Sequence, residues 1–147
     1  MDTTTNQPYH TQVNHLSDLA QYVGKELGLT EWLTITQEQI NQFAKATGDE
    51  QWIHVDVEKA KQFSPYGTTV AHGFMVLSYA SQFCYQTLDV SDVVMGVNYG
   101  LNKVRFPNAV LCDARIRARV KLAAFTPIPR GGRYTMDVVF EMEGQEK

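Results

Sequence analysis

The chain has 147 residues, 44% of them hydrophobic and 20% charged, with a net charge of -3, which is one domain's worth of sequence, able to bury about two thirds of its unfolded surface. That charge gives no basic field for a nucleic-acid backbone, so nucleic acid is not expected as a partner. No stretch is long and apolar enough to span a bilayer, and the start lacks the apolar core of an export signal, so no membrane association and a cytoplasmic location are expected.

Residues 1–15 carry Thr, Asn, Gln and His without periodicity, the composition of a loose leader or an arm lying over a domain that spans 16–147. Leu16, Leu19, Ala20 and Val23 then recur at helical spacing, with Ser17 able to cap and Gly24 to stop a short helix. Trp32 to Thr36 alternates as a strand, and Thr36 caps a helix over Gln37–Thr47 whose apolar stripe is Ile40, Phe43 and Ala44. Gly48 stands where a left-handed C-cap belongs, so Asp49 opens the following loop. Gly48 to Thr69, with its Pro65 and Gly67, reads as an irregular excursion.

From Val70 to about Thr87 apolar residues fall on nearly all sides (Phe74, Met75, Val76, Leu77, Ala80, Phe83, Cys84), the pattern of a buried helix. The remainder is β. Val97, Tyr99 and Leu101 alternate in one phase and Val104 and Phe106 in the other, which predicts a strand bent by a bulge near Asn102 or Lys103. Ala114, Ile116, Ala118, Val120 and Leu122 form one apolar face, and Tyr134, Met136, Val138, Phe140 and Met142 form a second. Opposite the first face stand Arg115, Arg117, Arg119 and Lys121. A phosphate-binding row would use them, but pairing with Asp137 and Glu141 across the strands is simpler. Cys84 and Cys112 share no motif spacing and are expected as buried reduced thiols. The fold class is therefore α+β, with an antiparallel sheet and one long helix.

The chemistry-bearing segment is Gly48-Asp49-Glu50-Gln51-Trp52-Ile53-His54, followed by Ala71-His72-Gly73-Phe74 at the start of the long helix. Asp49 and His54 lie five apart in a loop, close enough to converge on one water. A carboxylate beside an imidazole can hold and exchange protons with that water near neutral pH. Gly73 sits at a helix N-terminus, where an unpaired amide and the helix dipole favour a developing negative charge. Taken locally, Asp49 could equally be a turn residue and His54 a structural histidine.

Gly48-Asp49-x-x-x-x-His54, then Ala60 and His72-Gly73, resembles the motif of the MaoC-like, R-specific enoyl-CoA hydratase family. Gly48 to Asp56, Pro65 to Phe74 and Tyr99 to Pro107 resemble its nodulation-protein-N-like branch. The resemblance spans most of the chain. It implies a hot-dog fold, in which an antiparallel sheet wraps a long central helix, and a hydratase/dehydratase that adds water to a trans-2-enoyl thioester to give an (R)-3-hydroxyacyl thioester. It implies Asp49 and His54 as catalytic residues, the Gly73 amide as oxyanion donor, and Ser81 in a supporting role. The motif departs from the family at Gln51-Trp52, where Asn-Pro is frequent. Gln51 keeps an amide for water or substrate, and Trp52 either shapes the acyl tunnel or fills core. Relatives usually continue past the position of Glu143 into a last strand, so either an incomplete sheet or a shortened chain is implied.

No cofactor or metal is expected, although His54, His72 and Asp56 lie near one another, because no HExxH or paired-cysteine spacing occurs. His72 reads instead as a helix-entry residue with a backbone partner. The expected partners are an acyl-CoA or acyl carrier protein thioester, with Lys103 and Arg105 as candidate contacts to CoA phosphates or else solvated strand residues. A homodimer is expected, since one such sheet leaves an edge unpaired. Two other functions fit the same residues: a hot-dog thioesterase, and a non-catalytic acyl-thioester binding or assembly module.

Overall fold

The computed structural model describes residues 6–145. Its elements in chain order are β1 (Thr11–Val13), a 3-10 helix (Leu16–Tyr22), β2 (Glu26–Leu29), β3 (Leu33–Thr34), α1 (Gln37–Thr47), α2 (Trp52–Val55), α3 (Val57–Phe63), α4 (Gly73–Thr87), β4 (Leu88–Val90), β5 (Arg115–Ile128) and β6 (Gly131–Met142). β5 pairs with β2, β3 and β6 in a four-stranded sheet, while β1 and β4 form a parallel pair of their own. This is the mixed α+β organisation expected, with an antiparallel sheet and one long helix. The contacts fall into two compact units.

The first unit comprises residues 1–31, 80–101 and 117–141. Within it, β2 pairs antiparallel with β5 through Gly28↔Val120 and Leu29↔Arg119, and Ala118, Val120 and Leu122 are buried, as the alternation requires. The opposite row is charged, and its arginines are paired. Arg119 reaches Glu141 at 2.7 Å and Glu26 at 3.3 Å, and Arg117 reaches Glu141 at 3.4 Å. Glu26 joins this network from a strand the alternation did not single out, and Asp137 is exposed.

Of the expected leader, residues 1–5 lie outside the described range, and the rest is not loose. Tyr9 and Leu29 exchange two main-chain hydrogen bonds at 3.1 and 3.0 Å, and Thr11–Val13 lies beside Leu88–Val90. Polar composition hides this because a strand's hydrogen bonds come from the backbone and need only one buried side chain, here Val13. The helix at Leu16 is a 3-10 helix, entered at His15, whose amide donates to Asp18 Oδ2 at 3.1 Å; Ser17 is not its cap.

The second unit comprises residues 32–79, 102–116 and 142–147, of which the last two lie outside the described range. Thr36 caps α1 by accepting from the Gln39 amide at 3.2 Å, Ile40 and Ala44 are its buried face, and Gly48 ends it at φ 83°, the left-handed region that favours glycine. The Gly48 to Thr69 excursion is not irregular: it holds α2 and α3, the latter capped by Asp56, whose Oδ1 accepts from the Lys59 amide at 3.0 Å. Two helices this short leave no periodic stripe to read.

Two further expectations fail. The long helix exposes Phe74 and Tyr85, so it is not buried on all sides within this chain. Residues 93–108 form no strand, and Met95, Val97, Tyr99 and Leu101 stand exposed. Alternation reports a face that could be buried; a strand also needs a neighbour to pair with. Cys84 and Cys112 are free thiols of intermediate burial. Burial pushes Cys84 up to about 11 and raises Cys112 as well.

Candidate functional site

The residues singled out for chemistry in Gly48–Gly73 all belong to the second unit. Main-chain pairing brings their segments together. Val70 N–H donates to the Ile53 carbonyl at 3.0 Å, while Thr69, Val70 and Ala71 pair along residues 110–112. His54, next to Ile53, then reaches the Val70 carbonyl with its Nδ1 at 2.7 Å. A carbonyl only accepts, so Nδ1 carries the hydrogen, and in the neutral ring Nε2 holds the lone pair.

His54 is only 7% exposed and His72 only 3%. Their rings stack at 3.8 Å between centroids with planes 21° apart, and Phe43 lies 4.9 Å from His72. His72 has the backbone partner expected of a helix-entry residue: its Nε2 donates to the Asp49 carbonyl at 2.8 Å. Asp49 itself is exposed on the residue after the αL cap, and its Oδ1 makes a long contact of 3.4 Å with the Gln51 amide. One ligand atom from each of Asp49, His54 and His72 lies within 4.8 Å of the others.

One nitrogen of each ring is committed to a carbonyl, which leaves His54 Nε2 and His72 Nδ1 as the ring atoms with lone pairs beside the Asp49 carboxylate. A carboxylate and an imidazole a few ångströms apart can share the two hydrogens of one water.

The helix beside them starts as the sequence requires. The first intrahelical bond of α4 runs from Val76 N–H to the His72 carbonyl, so the Gly73, Phe74 and Met75 amides have no acceptor within the helix. A Cβ at Gly73 would lie 3.0 to 3.1 Å from the Phe106 ring. The missing side chain is what lets that ring rest against the helix start.

The remaining predicted residues are less engaged. Gln51 is exposed and contributes its carbonyl to the His54 amide at 3.0 Å. Trp52 is half-buried, with the Lys59 ammonium 4.9 Å from its ring. Lys103 and Arg105 are exposed, and Arg105 donates to the neighbouring Val104 carbonyl at 2.8 Å. Ser81 belongs to the first unit, where its hydroxyl lies 3.5 Å from the Asn98 amide nitrogen.

Sequence reading missed Gln37. From the first position of α1 its Nε2 donates to the His54 carbonyl at 2.8 Å and to Asn41 at 2.9 Å, and its Oε1 accepts from the buried Thr69 hydroxyl. One amide thus joins the His54 main chain to the Thr69 side chain. No local signal marks it, because a glutamine in a helix's first turn is ordinary.

The MaoC-like domain family matches residues 18–139. The 3-hydroxyacyl-thioester dehydratase Z of Mycobacterium tuberculosis is 45% identical over 133 residues, covering 90% of this chain and 87% of that protein. Nodulation protein N of Rhizobium leguminosarum is 43% identical over 109 residues, covering 74% and 68%. Among solved structures, a monoamine oxidase regulatory protein from Archaeoglobus superposes with a TM-score of 0.72 at 26% identity, over 92% of this chain and 88% of that one. With this match, these relatives and the α+β element order, the chain belongs to the MaoC-like dehydratase domain family and has its hot-dog fold.

Proposed function

We propose that the chain is a hydratase/dehydratase of acyl thioesters, interconverting a trans-2-enoyl-CoA plus water with an (R)-3-hydroxyacyl-CoA. The observation that carries this reading is the approach of the Asp49 carboxylate, the His54 ring and the His72 ring to within 4.8 Å, in the same unit as a helix that opens with unpaired amides. Asp49 and His54 Nε2 hold the water. Its oxygen adds to C3 as one of the pair takes a proton, and the C2=C3 electron pair moves onto the thioester oxygen. The Gly73 amide stabilises that enolate, which takes a proton at C2. Dehydration is the reverse. The 3-hydroxyacyl-thioester dehydratase of M. tuberculosis supports the substrate class, and the (R) configuration follows the family resemblance.

The exposed Lys103 and Arg105 are free to meet CoA phosphates, and Gln51 and Trp52 are proposed to line the substrate path. The two free cysteines suit a cytoplasmic location. The exposed apolar run from Val94 to Leu101 supports a homodimer. In a crotonyl-CoA assay, loss of enoyl absorbance with formation of (R)-3-hydroxybutyryl-CoA is expected. Asp49→Asn should lower kcat by about 10²- to 10⁴-fold, and His54→Gln similarly. Release of free CoA thiol would replace this reading with a thioesterase, and binding without turnover would replace it with a binding module.

A further inference from the structure

His72 is held on three sides. Nε2–H donates to the Asp49 carbonyl at 2.8 Å, one ring face lies on His54, and Phe43 approaches the ring at 4.9 Å. Yet its Nδ1 is buried without a hydrogen-bond partner. A ring needed only to fill space would be served by phenylalanine, which leaves no polar atom unpaired. What phenylalanine lacks is the Nε2–H.

Asp49 needs that bond. It follows the αL cap in an exposed loop, and its carboxylate contacts the Gln51 amide only at 3.4 Å, so its main chain is fixed against the rest of the site by the carbonyl His72 holds. His54 is oriented in its plane by Nδ1 and Val70. That bond leaves the tilt of the ring free, and stacking on His72 removes the freedom. His72 is also bonded covalently to Gly73. The carboxylate and the imidazole are thereby both referenced to one side chain, on the residue that precedes the helix-start amide.

We propose that His72 is a positioning residue of this site, setting Asp49 through its Nε2–H and the plane of His54 through its ring face. The inference rests on the roles given above to Asp49, His54 and Gly73. It separates into two halves that different substitutions remove. His72→Phe keeps a flat ring against His54 and loses the donor. His72→Gln keeps an amide N–H at the reach of Nε2 and loses the stack.

Misplacement of a catalytic group by about 1 Å is worth about 10²-fold in rate. His72→Phe should therefore lose about 10- to 100-fold in kcat with KM changed less than about threefold, through the lost donor, and His72→Gln should lose kcat as well, through the lost stack. Equal activity of His72→Phe and wild type would overturn the tether, and equal activity of His72→Gln and wild type would overturn the role of the ring face. Ring 15N NMR of the unsubstituted protein at pH 8 tests the same point without a variant. Hydrogen on His72 Nε2 is expected, and hydrogen on Nδ1 alone would overturn the proposal. A wild type that turns over no thioester would count against the proposed function, while the ring tautomer would still decide the tether.

Discussion

Gln37 has the most consequential contacts of any side chain that the motif does not contain. Its amide satisfies the His54 carbonyl and the Thr69 hydroxyl together, so removing it strands one acceptor and one donor in a partly dry region. Leaving a buried polar group unpaired costs about 1 to 3 kcal/mol. Gln37→Leu should therefore lower the unfolding free energy by that order, read as a lower urea midpoint, and reduce turnover, because the His54 backbone loses a fixed point. A leucine variant with unchanged midpoint and rate would show that the bridge contributes nothing.

At the scale of elements, two glycines do opposite kinds of work. Gly48 ends α1 at φ 83°, and a Cβ there would meet nothing within 4 Å. Gly48→Ala should cost about 1 kcal/mol, from backbone strain alone, with Gly48→Asn cheaper because asparagine tolerates the left-handed region. Gly28, in β2, has ordinary φ, but a Cβ would lie 2.5 Å from the Tyr9 carbonyl oxygen and 2.8 Å from Thr87 Cβ. A backbone oxygen cannot swing aside as a side chain can. Gly28→Ala should cost about 1 to 3 kcal/mol and open the Tyr9 bridge to Leu29, read as faster exchange of the Leu29 amide. If Gly48→Ala proves the more damaging of the two, this assignment of causes is wrong.

At the scale of the whole molecule, alkaline stability and association are the properties to test. Burial pushes the Cys84 thiol from its ordinary 9.0 up to about 11. Burial first, then the 2.6 Å hydrogen bond to Glu26, push Tyr9 from 10.0 to about 12. Both groups hold their protons longer in the folded chain than in the unfolded one, so their contribution is full below the unfolded values and is lost as pH rises through the folded ones. The urea midpoint should be level to about pH 9 and fall between about 9 and 12, with Cys84→Ala moving the onset toward 10. The exposed Met95 and Leu101 carry the proposed homodimer. Light scattering should find two chains per particle, and Met95→Asp with Leu101→Asp should yield monomers; a monomeric wild type would remove the proposal.

Local rules were enough for several parts of this protein. The Thr36 cap, the Gly48 stop and the Ile40/Ala44 face defined α1, and strict alternation defined the buried face of β5, because each depends on spacing within a few residues. The Asp49 to His54 motif and the family were legible for the same reason. Tertiary structure alone decided the rest. Tyr9 became a β-bridge and Thr11–Val13 a strand because distant backbones offered partners, and Val97 to Phe106 did not, because within the described chain none did. Gln37 and the Nε2–H of His72 acquired their roles only when residues 17 to 32 positions away were folded against them. Periodicity records which side chains can be buried; which polar groups meet is set by where the backbone brings them.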